Sequence, residues 1–214
     1  MPKRENISMS VIRRLPRYYR FLRHLRNKGV VRISSTELSA KLGLTASQIR
    51  QDLNCFGGFG QQGYGYIVDQ LCDEIANILG LSNGFDAVLI GAGNLGQAMA
   101  SHMSFQADGF RLTGIFDSSP KKIGTMINGL TIKDVSELEE FCTEEQPSMA
   151  VLCVPREAAA AVTDRLYNLG MRNFWNFSHY DITMKYPDTL VENVHLNDSL
   201  MTLCYRISNT PSHE

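Results

Sequence analysis

Apolar residues near the start of the chain recur with helical spacing. Ile12, Leu15, Tyr18, Tyr19, Leu22 and Leu25 fall within about half the circumference of a helix wound at about 100° per residue. Arg13, Arg17, Arg20 and Arg23 lie on the other side. Arg14 sits at the edge of the apolar arc, where a long cationic side chain usually snorkels. Lys28-Gly29 is a helix stop, and a short strand over residues 30–33 follows. Ser34-Ser35-Thr36-Glu37 and Thr45-Ala46-Ser47-Gln48 each fit a capping box, so two further helices start in quick succession. The first ends after about two turns near Gly43. The next spans residues 46–56 and buries Ile49, Leu53 and Phe56. Ser39, Gly43 and Ile49 supply the small residue, turn glycine and core aliphatic that let two helices cross closely in a helix-turn-helix. Gly57, Gly58, Gly60, Gly63 and Gly65 then alternate with Phe59, Tyr64 and Tyr66, which suits a tight hairpin anchored by its rings.

The remainder alternates strand and helix. A connecting helix over 69–79 leads to a boundary at 80–84, and residues 87–90 read as a buried strand. Further strands are expected at 110–116, near Leu130, at 149–154 and near 174–177, with helices over 135–143 and 156–169. That order suits a parallel sheet covered by helices. The last helix, over 196–207, gathers Leu196, Leu200, Leu203 and Ile207 on one face. The fold class expected is α/β. A winged-helix DNA-binding domain with its connecting helix occupies 1–80, a Rossmann-type dinucleotide-binding domain 81–195, and a C-terminal helix 196–214.

Composition narrows the function. The 214 residues are 43% hydrophobic and 20% charged, an ordinary globular balance. No run of eighteen apolar residues occurs, so no membrane partner is expected, and the first residues lack the apolar core of a secretory signal. Five cysteines, an odd number without a CxxC, argue against a disulfide framework or zinc site and for a reducing cytoplasm. The net charge of −1 hides an asymmetry: residues 1–56 hold twelve Lys and Arg against three Asp and Glu, whereas residues 81–214 hold nine against sixteen. A basic head on an acidic body points the head toward a polyanion.

The candidate chemistry lies in two places. The free face of the third helix shows Ser47, Gln48, Arg50, Gln51 and Asn54, with Asp52 its one acid. Arg can bind guanine bidentately, and Gln or Asn adenine. Gly60, Gln62 and Tyr64 of the hairpin are further candidates for contact with DNA. In the body, strand 87–90 runs straight into Gly91-Ala92-Gly93-Asn94-Leu95-Gly96, a GxGxxG at a strand-to-helix junction. There Gly91 turns, Gly93 admits a pyrophosphate, and Gly96 lets helix pack on strand. Asp117 ends the next strand, 26 positions after Gly91, where a carboxylate accepts ribose hydroxyls and favours NAD over NADP; Lys121 and Lys122 weaken that exclusion. Val154-Pro155 closes another strand on the ligand side. No substrate domain is evident, and His24, His102, His179, His195 and His213 show no catalytic setting. No catalytic residue and no metal site is therefore expected, and the fold binds the cofactor as a signal. An oxidoreductase whose head serves assembly, or a regulator sensing another adenine-containing ligand such as coenzyme A, are the alternatives.

The whole chain resembles the Rex family of redox-sensing transcriptional repressors. The likeness runs through Arg14-Leu15-Pro16-Arg17-Tyr18-Tyr19-Arg20, Gln48-Ile49-Arg50-Gln51-Asp52-Leu53, the run from Phe56 to Tyr66, and Ile90 to Gly96. Phe116-Asp117, Cys153-Val154-Pro155, Asn176-Phe177 and Val191-Glu192-Asn193-Val194 complete it. The resemblance implies a homodimer with exchanged C-terminal helices and paired heads on palindromic, double-stranded operator DNA. It implies binding to the operator when free or with NAD⁺, release by NADH, and control of genes for NADH reoxidation and fermentation. The recognition helix would carry Arg50 and Gln51, the glycine-aromatic run would be the wing, and NAD(H) would be the cofactor. Departures stand out at five positions. The family usually has Lys at Gln51 and Lys-Arg at Gln61-Gln62. It has Tyr at His102 and Asp at His195, which with Arg14 form a switch, so Arg14 lacks its expected carboxylate. Either the two histidines take over part of the switch, making sensing altered or pH-dependent, or they are tolerated replacements.

Overall fold

The computed structural model describes residues 7–59, 64–102 and 109–210. The chain divides into two units, Met1–Asn83 and Gly84–Glu214.

In the first unit the expected long helix is broken. Helix α1 spans Met9–Ile12 and α2 spans Leu15–Asn27, with Arg14 at the start of α2 and Pro16 in its first turn, where proline loses no bond. Gly29, at φ +71°, ends it. Strand β1 (Arg32–Ile33) leads into α3 (Ser35–Leu42). Ser34 and Glu37 close a complete capping box there, and Gly43 caps the other end in the left-handed region. Helix α4 (Ala46–Asn54) starts at Thr45, whose hydroxyl accepts the Gln48 N–H. The second capping box is only half formed, because the Gln48 side chain bonds elsewhere, to Asp52.

Strand β2 (Tyr66–Ile67) and helix α5 (Val68–Ile78) follow. β2 pairs antiparallel with β1, Ile33 opposite Tyr66. Gly60, Gln61, Gln62 and Gly63 of the hairpin lie outside the described residues. Gly65 cannot be replaced cheaply: its φ is +69° and a Cβ would stand 2.6 Å from the Ile33 carbonyl oxygen. Leu15, Tyr18, Leu22, Leu38, Ile49, Leu53, Leu71 and Ile75 form one buried cluster.

The second unit begins with β3 (Phe85–Ile90), α6 (Asn94–His102), β4 (Phe110–Asp117), β5 (Met126–Ile127) and β6 (Leu130–Asp134). A 3-10 turn leads into α7 (Leu138–Glu145), then β7 (Met149–Leu152), α8 (Arg156–Asn168) and β8 (Asn173–Asn176). A short helix α9 (Ile182–Lys185), strand β9 (Leu190–Asn193) and helix α10 (Leu196–Asn209) close it. The sheet runs β5-β6-β4-β3-β7-β8-β9, parallel except for β5 on β6.

Residues 87–90 of β3 and 150–152 of β7 are buried on both faces, which is why they read as apolar runs rather than alternating ones. Val88 and Ile90 pack with Leu138, Phe141 and Val162 of α7 and α8. Leu89, between them, packs with Met99 and Ala100 of α6 on the other face. The chain adds β4 and β6 on one side of β3, then crosses to place β7 on the other. The crevice at the carboxyl ends of β3 and β7 is thus the switch point of the topology, the usual ligand site of such sheets.

Helix α10 has the apolar face expected of it, yet it buries none of its residues in the single chain. Leu196, Leu200, Leu203 and Ile207 are between 50% and 66% exposed. Among the described residues, no helix is long and apolar enough to cross a membrane, and no group of three or more His, Cys, Asp or Glu is placed to hold a metal ion.

Candidate nucleotide site and nucleic-acid interface

The fingerprint loop closes the switch-point crevice. Gly91 turns at φ +97°, where a Cβ would meet the Cys153 carbonyl oxygen at 2.7 Å. Its N–H donates to the Phe116 carbonyl at 2.8 Å. Gly96 is tighter still, because a Cβ there would stand 2.0 Å from the Gly91 oxygen, so α6 could not rest on the loop. Nothing lies within 4 Å of a Cβ built on Gly93. Two glycines thus serve the fold and one faces open space, the division that bringing a pyrophosphate to a backbone requires.

A cleft of about 760 Å³ opens there, within the range of small-ligand and cofactor pockets. Gly91, Gly93, Asn94, Leu95, Asp117, Val154 and Pro155 line it, all of them expected from the sequence. Ala92 and Gly96 do not: both are buried beneath the loop. A second cavity, about 450 Å³, lies around Gln146, Ser148 and Arg172 and contains none of the fingerprint residues.

Asp117 anchors one end of the cleft. Its carboxylate accepts the Ala92 and Ser119 N–H groups, each at 2.8 Å, and the Lys122 ammonium at 3.1 Å. Burial pushes this carboxyl upward, but the Ser119 amide, the Lys122 cation and the Ala92 amide together hold it below the usual carboxylate range. Asp117 therefore remains an anion, and Lys122 beside it is held in an ion pair.

Several wall residues were not among the candidates, Arg165 and Phe177 among them. Arg165 reaches in from α8, held by the Glu139 carboxylate and by the Val135 carbonyl at 2.6 Å; Phe177 follows β8. Arg165 is separated from the fingerprint by more than sixty positions, so only the fold brings them together. Cys153, also on the wall, has its thiol pushed up to about 12 by burial and is not a thiolate near neutrality.

In the first unit, Ser47, Arg50, Gln51 and Asn54 are exposed on α4 and Tyr64 is 69% exposed. Gly60 and Gln62 lie outside the described residues. Arg50 is braced by a bond to the Ser35 hydroxyl at 2.9 Å. Gln48 is half-buried and donates its amide to Asp52 at 2.8 Å.

Asp52 is not on the free face, where its residue type had put it. It is 1% exposed and accepts two bonds from the Arg14 guanidinium, at 2.6 and 2.7 Å, and one from the Tyr18 hydroxyl at 2.6 Å. Burial raises its pKa, and the Arg14, Tyr18 and Gln48 bonds bring it below the ordinary value. Arg14 therefore pairs with a carboxylate on another helix of its own unit, while the position where the family has its switch Asp is His195 here. Within the second unit His195 pairs with His179, not with His102, which is exposed in the last turn of α6.

Both units match known proteins. Residues 6–54 match the family model described as "Putative DNA-binding protein N-terminus", and residues 82–180 match the "CoA binding domain". The redox-sensing transcriptional repressor Rex of Clostridium beijerinckii is 50% identical over 213 residues, covering 99% of this chain and all of the relative. That of Thermoanaerobacter pseudethanolicus is 50% identical, covering 97% of this chain and 92% of its own. Among solved structures, RSP in complex with β-NAD⁺ and operator DNA superposes with a TM-score of 0.87 at 49% identity. It matches 95% of this chain and 93% of its own. RSP in complex with β-NADH gives 0.86 at 46% identity, covering 94% of each chain. Along practically its whole length, this chain belongs to the Rex family of redox-sensing transcriptional repressors.

Proposed function

We propose that the protein is a cytoplasmic, homodimeric repressor that binds palindromic operator DNA when free or with NAD⁺ and leaves it when NADH binds. The observation that carries this reading is a dinucleotide cleft with an anionic Asp117 on the same chain as a helix exposing Ser47, Arg50, Gln51 and Asn54. The relatives are named as repressors, and the nucleotide is read here as a signal rather than a reactant.

The residues divide the work. Arg50, Gln51 and Asn54 face base edges, with Ser47 and Tyr64 on the phosphates. The α6 N-terminus and the Gly93 backbone hold the pyrophosphate, and Asp117 accepts the adenosine ribose hydroxyls. These contacts are the same for NAD⁺ and NADH, so they supply affinity and no discrimination. The two forms differ in charge and ring shape at the nicotinamide, and the difference must be sensed there. NADH drives release only by binding the released state more tightly than the operator-bound state, and DNA must weaken NADH binding by the same factor. Helix α10, apolar and uncovered in the single chain, is the element exchanged between subunits.

Calorimetric titration with NADH, NADPH and coenzyme A tests the ligand. NADH binding at least about tenfold tighter than the other two (about 1.4 kcal/mol) is expected. Preferred binding of coenzyme A would favour a regulator sensing that ligand instead.

A further inference from the structure

The inference rests on the reading of α4 as the DNA-reading helix and goes beyond it to what sets that helix in place. Four side chains, two from each helix at a spacing of four, meet between α2 and α4. Arg14 and Tyr18 come from successive turns of α2, Gln48 and Asp52 from successive turns of α4. All the bonds converge on one buried carboxylate. Asp52 Oδ2 accepts from Arg14 Nε and the Tyr18 hydroxyl, each at 2.6 Å; Oδ1 accepts from Arg14 Nη2 at 2.7 Å and Gln48 Nε2 at 2.8 Å.

We propose that Asp52 is a positioning residue for operator recognition: through Arg14 and Tyr18 it fixes the angle at which α4 presents Arg50, Gln51 and Asn54, while touching no DNA itself. Three observations carry this. The planar guanidinium binds both oxygens, so the link resists rotation as well as separation. Asp52 is 1% exposed and cannot trade its partners for water. It also lies on the same helix as the reading residues, two positions from Arg50 and from Asn54, so a tilt at Asp52 is a tilt of the reading face. Arg14 stands at the break between α1 and α2, where it makes no side-chain cap for α2. Movement of that break would therefore reach the α4 carboxylate through the Arg14 side chain.

Charge separates positioning from simple attraction. Replacing Asp52 by Asn removes a negative charge from a basic head, so attraction to any DNA should rise, whereas loss of alignment should lower affinity for the operator alone. The experiment measures anisotropy with a labelled copy of the operator duplex bound by RSP and with a scrambled duplex, at one salt concentration. It uses the full chain as wild type, Asp52→Asn, Tyr18→Phe and Arg14→Lys. Arg14→Lys keeps the charge but not the two-pronged bond, and it decides the matter should Asp52→Asn fail to fold, as judged by circular dichroism. Operator affinity lower by about tenfold in Asp52→Asn and Arg14→Lys, with scrambled-duplex affinity unchanged or higher, is the expected result; Tyr18→Phe should show a smaller loss of the same sign. Unchanged operator affinity in folded Arg14→Lys and Asp52→Asn, or an equal fall on both duplexes, would overturn the proposal. A wild type that does not prefer the operator to the scrambled duplex would instead overturn the reading of α4, and this inference with it.

Discussion

The Nδ1 atoms of His179 and His195 lie 2.7 Å apart, with the rings stacked at 19° and their centroids separated by 4.8 Å. One nitrogen donates and the other accepts. His195 is the residue immediately before α10, and His179 is held at φ +59°, a backbone conformation unusual for a side-chain-bearing residue. The pair thus ties the start of α10 to the loop after β8.

The NADH concentration that releases operator should accordingly shift in His179→Ala and in His195→Ala, and stay as in the wild type in His102→Ala. NADH titrations of the operator complex check this. Wild-type values in all three variants would show that the histidines are tolerated replacements.

Gly93 and Gly96 should separate binding from folding. Gly93→Val adds a side chain into open space, so the unit should keep its melting temperature within a few degrees while losing NADH and NAD⁺ binding by 100-fold or more, about 2.7 kcal/mol. Gly96→Ala forces backbone to move and should destabilise the second unit by about 3 kcal/mol. Thermal unfolding with and without NADH reads both effects. NADH binding retained in Gly93→Val would refute the placement of the pyrophosphate.

Asp117 should control both nucleotide choice and acid stability. Asp117→Asn frees Lys122 from its ion pair and removes the charge that repels a 2′-phosphate, so the ratio of NADPH to NADH affinity should rise about tenfold. The folded-state pKa of Asp117 lies below its ordinary 3.8. Its charged form therefore stabilises the fold above that value, and the contribution is lost as pH falls through the lower, folded value. Melting temperatures between pH 2.5 and 6 should fall less steeply toward acid in Asp117→Asn than in the wild type.

Helix α10 should hold the dimer. Leu200 and Leu203, 57% and 50% exposed in the single chain, would become buried if α10 is exchanged between subunits. Leu200→Asp with Leu203→Asp should give a folded monomer by sedimentation equilibrium, with operator affinity reduced at least 100-fold. A double variant that remains dimeric would place the interface elsewhere.

What could be read from the sequence was local. The fingerprint, Asp117 and the helix starts at Ser34 and Thr45 depend on neighbours a few positions away, and the strands on runs of apolar residues. Asp52 was misplaced because residue type argues for solvent, whereas its partners Arg14 and Tyr18 lie 38 and 34 positions earlier. The same partnership drew the Gln48 side chain from its expected capping role. Strand β9 has no apolar alternation to announce it, and only Val191 among its residues is better than exposed. Its pairing with β8, Asn176 opposite Asn193, is what brings His179 and His195 together. Arg165 reached the cleft wall in the same way, through the packing of α8 on the sheet.

The central claim is tested most directly by anisotropy of a labelled duplex carrying the operator bound by RSP, at fixed salt, with the protein alone, with NAD⁺ and with NADH. Tight binding alone and with NAD⁺, and release by NADH, is the expected result. Tight binding indifferent to both nucleotides would contradict the redox-sensing account while leaving the DNA-binding head intact.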